Sequence, residues 1–129
     1  MYDQRYRPGV LAPGLAGEVS APVTDRDTAL AVGSGEVRVL ATPRVVALVE
    51  AASVDALAGA LDKETTSVGT RVELDHLAPS PVGATVTARA ELVEVAGRRL
   101  TFEVTLSQDG HEVARGRIVR AVVDRRFPA

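Results

Sequence analysis

Beyond residue 67 the apolar residues fall on every second position. Val86, Ala88, Ala90 and Leu92 alternate with Thr85, Thr87, Arg89 and Glu91 across 84–92. Leu100, Phe102, Val104 and Leu106 alternate with Arg99, Thr101, Glu103 and Thr105 across 99–107. Residues 112–122 put Ala114, Gly116, Ile118, Arg120 and Val122 on one face, and 68–78 put Val68, Thr70, Val72, Leu74 and His76 on one face. Period two is the signature of a half-buried strand. The joining segments "SPVG", "AGR" and "QDG" are short enough for antiparallel neighbours. Four antiparallel strands are therefore predicted.

The preceding segment is different. "ATPRVVALVEAASVDALAGAL" (41–61) is apolar on most sides, with only Glu50 and Asp55 ionisable from Val45 onward. Such a helix is expected to be largely buried. Thr42 suits an N-cap and Pro43 the first helical position, where a missing N–H costs nothing. Upstream, "GEVSAPV" (17–23) predicts a short strand. In "TDRDTALAVGSGE" (24–36), Thr24 and Asp27 carry a helix-start signature, and Gly33-Ser34-Gly35 dissolves it into a flexible turn, a candidate lid. "VRVL" (37–40) predicts a brief extended piece, and Pro8, Gly9, Pro13 and Gly14 make 1–16 an irregular lead-in. The pattern predicts an α+β fold: an antiparallel sheet wrapped around one long apolar helix, forming a single domain over 17–129.

Composition narrows the function. With 129 residues the chain is long enough for one self-sufficient core. It has no cysteine, which excludes disulfides, thiolate metal sites and a cysteine nucleophile. Two distant histidines argue against a zinc site. A net charge of −2 and four aromatic residues argue against nucleic acid. The N-terminus lacks the apolar run of a signal peptide, and no stretch has the length of a membrane span. A cytoplasmic location is the expectation.

Several polar residues fall out of pattern. His76 and Arg120 share the phase of apolar strand faces, and Glu50 lies between Val46 and Val54 on the helix. Taken singly each has a plain reading: Thr42 as a cap, Glu50 as a carboxylate reaching water, His76 as a core or rim histidine, Arg120 as a snorkelling side chain, Gly69 as a bulge. Together, "ATPRVVALVEAASVDAL", "GTRVELDHLAPSPVGATVTARAELVEVAGRRLTFEV" and "GRIVRAVV" resemble the fluoroacetyl-CoA thioesterase group of hotdog proteins from about Gly17 to Val123.

The resemblance implies a hotdog fold and hydrolysis of a small or medium acyl thioester. It implies Thr42, Glu50 and His76 as catalytic residues, Gly69 and Arg120 as substrate contacts, no metal, and no cofactor beyond the CoA of the substrate. It also implies a homodimer joined edge to edge, with acyl-CoA sites between the protomers. The N–H groups of Arg44, Val45 or Gly69 are the expected donors to a developing oxyanion. His111, Arg98, Arg99, Arg125 and Arg126 read as surface residues. A non-hydrolytic acyl-CoA binder is the main alternative. A hotdog dehydratase is less compatible, because Asp75 and His76 face opposite ways as strand neighbours. A purely structural dimerisation module leaves the out-of-pattern polar residues without a role. The resembled enzymes carry aromatic lid residues, whereas "AVGSGEVRVLA" has none. This departure predicts a broader or different acyl preference.

Overall fold

The structure is a computed structural model that describes residues 10–126. Its sheet is formed by β1 (Ala16–Pro22), β2 (Thr65–His76), β3 (Thr85–Ala96), β4 (Arg99–Gln108) and β5 (His111–Asp124). The strand order is β1-β3-β4-β5-β2 and every pairing is antiparallel. The predicted α+β architecture is the observed one. The lead-in expected over 1–16 is tied to the sheet at its end, since the Gly14 N–H donates to the Leu92 carbonyl and the Leu92 N–H to Leu15, both at 2.8 Å. The rest of that expectation, residues 1–9, lies outside the described residues.

The long helix α2 runs over Thr42–Ala56, shorter than the expected 41–61. Its apolar pattern continues, but Gly59 adopts φ +76° and residues 57–60 become turns. Ala41 is the N-cap, and Thr42 makes no capping hydrogen bond. The expected cap role is therefore corrected: Thr42 opens the helix with Pro43 after it, which leaves the hydroxyl available to another partner. Val45, Leu48, Val49 and Ala52 on α2 meet Val86, Ala88, Leu92, Phe102 and Leu106 in one buried core. Each large side chain buried there contributes about 1.5–3 kcal/mol.

The helix lies chiefly across β1 and β3. Gly17 makes this approach possible, because a Cβ there would stand 2.3 Å from the Ala56 nitrogen. The Glu18 N–H on the same strand donates to the Asp55 carboxylate at 3.0 Å.

Before α2 the chain is irregular. Asp25–Asp27 form one 3₁₀ turn, in which the Asp27 carboxylate accepts from the Thr24 N–H and hydroxyl at 2.7 and 2.8 Å. The single short helix expected over 24–36 is thus divided. Its second part, α1 (Ala29–Val32), starts at Thr28 and ends at Gly33 with φ +84°. The predicted extended piece at 37–40 reduces to isolated bridges, Val39 to Pro81 and Leu40 to Thr28.

One departure from strict alternation shapes the rest. On β2, Gly69 pairs with Arg120 but Arg71 pairs with Val119, so Thr70 is an extra residue in a bulge. The expected common face of Val68, Thr70, Val72, Leu74 and His76 is therefore interrupted. Val72, Leu74 and His76 lie opposite Ile118, Gly116 and Ala114, on the helix-facing side, whereas Val68 lies opposite Ala121 on the other.

Candidate functional site

The bulge brings Gly69 and His76 onto one face. They are seven positions apart, an odd separation that a regular strand would split between its two faces. With Thr70 set aside, Gly69 and His76 both look toward α2.

His76 closes the C-terminal end of β2 against the start of α2. Its Nδ1 lies 2.8 Å from the Thr42 hydroxyl oxygen. Its Nε2 is buried without a hydrogen-bond partner among the described residues. Burial holds the imidazole pKa below its ordinary value near 6.5, with the Ala78 backbone opposing that shift. Thr42 and His76 open onto a cavity of about 300 Å³, whose other walls include Glu36 and Val37 before α2 and Leu77 after β2. The segment read as a candidate lid borders this cavity: Ser34 and Gly35 line it, as does Glu36 after them.

A second cluster sits two turns along α2. The Glu50 carboxylate oxygen Oε2 is 3.6 Å from the Arg120 guanidinium, whose side chain is 8% exposed. Arg120 belongs to β5, an interior strand, and is buried among its neighbours, so the snorkelling reading does not apply. Burial pulls the guanidinium pKa down and the Glu50 charge opposes that, which leaves Arg120 a cation. Its Nε donates to the Ser67 hydroxyl at 2.8 Å and its Nη2 to the Ser67 carbonyl at 3.1 Å. Gly69 lies directly opposite Arg120 and completes the cluster.

Ser67 was not among the expected site residues. The signal that could have found it is its spacing of two from Gly69, on the same face. One further expectation changes. The Arg44 and Val45 N–H groups both donate to the Ala41 carbonyl, at 3.0 and 3.1 Å, so these helix-start donors are engaged. His111 and the arginines at 98, 99, 125 and 126 are exposed, as expected.

Thr42 and Glu50 are eight residues apart on one helix, about 12 Å of rise. Among the described residues no hydrogen bond or ion pair links Glu50 to Thr42 or His76. The five predicted site residues therefore form two groups within one chain, Thr42 with His76 and Glu50 with Gly69 and Arg120. Among the described residues no set of three or more acidic, His or Cys side chains is placed to hold a metal ion, and no helix is long and apolar enough to cross a membrane.

Comparison with known proteins shows the family and the fold. A fluoroacetyl-CoA thioesterase of Streptantibioticus cattleyicolor is 41% identical over 85 residues, which span 66% of this chain and 61% of that protein. A crystal structure of a mutant fluoroacetyl-CoA-specific thioesterase, in complex with fluoroacetate and CoA, superposes with a TM-score of 0.82 at 31% identity, over 89% of this chain and 97% of that one. A hot-dog-like protein from Thermanaerovibrio acidaminovorans superposes with a TM-score of 0.79 at 25% identity, over 88% of this chain and 84% of that one. The family model described as fluoroacetyl-CoA-specific thioesterase matches residues 23–126. This hotdog-fold chain belongs to the fluoroacetyl-CoA-specific thioesterase family.

Proposed function

We propose that this protein hydrolyses a small or medium acyl-CoA thioester. The observation that carries the reading is the Thr42–His76 pair, 2.8 Å apart at the wall of a ligand-sized cavity. When Nδ1–H donates to the Thr42 hydroxyl, Nε2 keeps its lone pair and has no hydrogen-bond partner among the described residues. The depressed imidazole pKa keeps that base unprotonated at neutral pH. Water adds to the thioester carbonyl and its proton passes to Nε2. The Gly69 N–H is the assigned donor to the carbonyl oxygen, now that the helix-start donors are excluded. The tetrahedral intermediate collapses by breaking the C–S bond, and His76 returns the proton to the departing CoA sulfur. The Glu50 carboxylate, beside the Arg120 cation, orients the attacking water. The reaction uses no cofactor besides the CoA of the substrate.

The two half-sites meet in a homodimer. β2 is an edge strand of twelve residues, and such an edge invites pairing. An antiparallel β2–β2 contact with its twofold axis near Glu73 keeps each pair of opposed residues on a common face. The pairing ends at the Thr70 bulge, which leaves Gly69 beside the partner's His76 with its N–H outside the ladder. One protomer supplies Thr42 and His76, and the other supplies Glu50, Gly69 and Arg120. The protein acts in the cytoplasm.

The deciding experiment is release of free CoA from acetyl-, propionyl- and butyryl-CoA by the purified protein and by Thr42→Val. Turnover that falls in the variant supports the assignment. Binding of all three thioesters with no turnover would make the protein an acyl-CoA binder instead.

A further inference from the structure

We propose that Glu36 is a specificity residue of this cavity, favouring acyl thioesters whose acyl chain carries a cationic amino group over neutral ones and disfavouring carboxyacyl thioesters. The inference rests on the cavity beside Thr42 and His76 being the acyl site. Glu36 lines that cavity, and among the described residues no lysine or arginine does. Among the described residues the carboxylate of Glu36 makes no ion pair. The cations near it in the chain are committed elsewhere: Arg38 pairs with Asp25, and Arg44 with Asp27 at 2.9 Å. The Asp25 and Asp27 charges are balanced by these pairs, and Arg120 and Glu50, which the proposed dimer brings to the site, are paired with one another, so Glu36 carries the unbalanced charge at the cavity mouth. His76 does not offset it, since burial favours the neutral ring.

The cavity's size limits what the field can act on. At about 300 Å³ it lies at the small end of ligand sites, room for a few carbons beyond the thioester. Val39, Leu40 and Ala78 give the rest of the lining an apolar character suited to a short methylene chain. A terminal ammonium on such a chain meets the Glu36 carboxylate as its complementary charge. A terminal carboxylate meets a like charge, which is an effective way to reject a competitor. The negative phosphates of CoA are common to all substrates, so their repulsion cancels in any ratio between acyl groups.

The test uses non-hydrolysable thioether analogues of β-alanyl-CoA, butyryl-CoA and succinyl-CoA. Their Kd values are measured by titration calorimetry with the full chain, and kcat/KM is measured for the matching thioesters. The expected order is cationic, then neutral, then anionic, with steps of roughly tenfold. Glu36→Gln brings the cationic-to-neutral ratio to within about twofold, and Glu36→Lys reverses the order. Glu36 is exposed, so both variants are expected to fold, and circular dichroism checks it. A wild-type ratio near one, or a ratio that survives Glu36→Gln, overturns the proposal. Binding in the expected order without hydrolysis of any thioester supports it while overturning the hydrolase reading.

Discussion

A Cβ on Gly69 would lie 2.4 Å from Oε2 of Glu50, so the strand at this point is moulded around the carboxylate. The Arg120 Nη1 atom stands 3.6 Å from the same imagined Cβ. The absent side chain at 69 thus makes room for an ion pair between α2 and β5.

Gly69→Ala tests that relationship. The Glu50 carboxylate is at the end of a flexible side chain that is 35% exposed, so it can swing away at small cost in stability. The expected result is a loss of roughly 10²-fold in kcat/KM with a melting temperature within a few degrees of wild type. Gly17→Ala is the contrast, because its Cβ would meet the rigid backbone of α2 at Ala52 and Ala56. That variant is expected to lose at least about 1–3 kcal/mol in denaturant unfolding.

His76→Ala and Glu50→Ala are each expected to lower turnover by about 10²–10⁴-fold while the protein still folds. Steady-state kinetics of the two purified variants checks this. Wild-type-like turnover in either one removes that residue from the mechanism.

Mixing these two inactive variants tests whether the site is shared between protomers. If His76 and Glu50 in each site come from different chains, a heterodimer of His76→Ala with Glu50→Ala has one intact site of two. Random exchange then restores about a quarter of wild-type activity. A site built within one chain stays inactive on mixing. Sedimentation giving a monomer at micromolar concentration contradicts the shared-site arrangement outright.

The buried imidazole gives a pH signature. Its folded pKa is below the unfolded value near 6.5, so the unfolded chain binds more protons just below that pH. The stability contribution is present above the unfolded value and is lost as pH falls toward the folded one. Thermal unfolding should therefore show a rise in stability from acid toward about pH 6.5 that flattens in His76→Gln. The acid limb of kcat/KM should fall below the ordinary histidine range for the same reason.

Substrate discrimination follows from the lid. Ser34, Gly35 and Glu36 border the cavity and none offers the stiff apolar area of an aromatic ring. Telling one fluorine from hydrogen needs tight exclusion of water near the acyl carbon. The expected outcome is no strong preference for fluoroacetyl-CoA over acetyl-CoA, after correction for their uncatalysed hydrolysis. A corrected preference above about a thousandfold would show the lid to be tighter than its residues suggest.

The alternation of Val86, Ala88, Ala90 and Leu92, and of Leu100, Phe102, Val104 and Leu106, determined two strands and their buried faces from the sequence alone. The apolar run of α2 and the short turns determined the α+β class, because burial of one face per element leaves few other arrangements. The five candidate residues were legible as residue types in a family pattern. Their grouping was not. Thr42 reads as a cap in sequence, since capping propensity is local, yet its hydroxyl meets His76, 34 positions away. Gly69 and His76 fall out of phase in any strict period-two reading, and only pairing with β5 reveals that Thr70 is bulged. Ser67 acquires a role only once Arg120 is seen to be buried and in need of acceptors. Periodicity records which face a residue prefers. Tertiary structure decided which residues share that face and which partners they meet, because bulges and cross-strand register depend on contacts between distant parts of the chain.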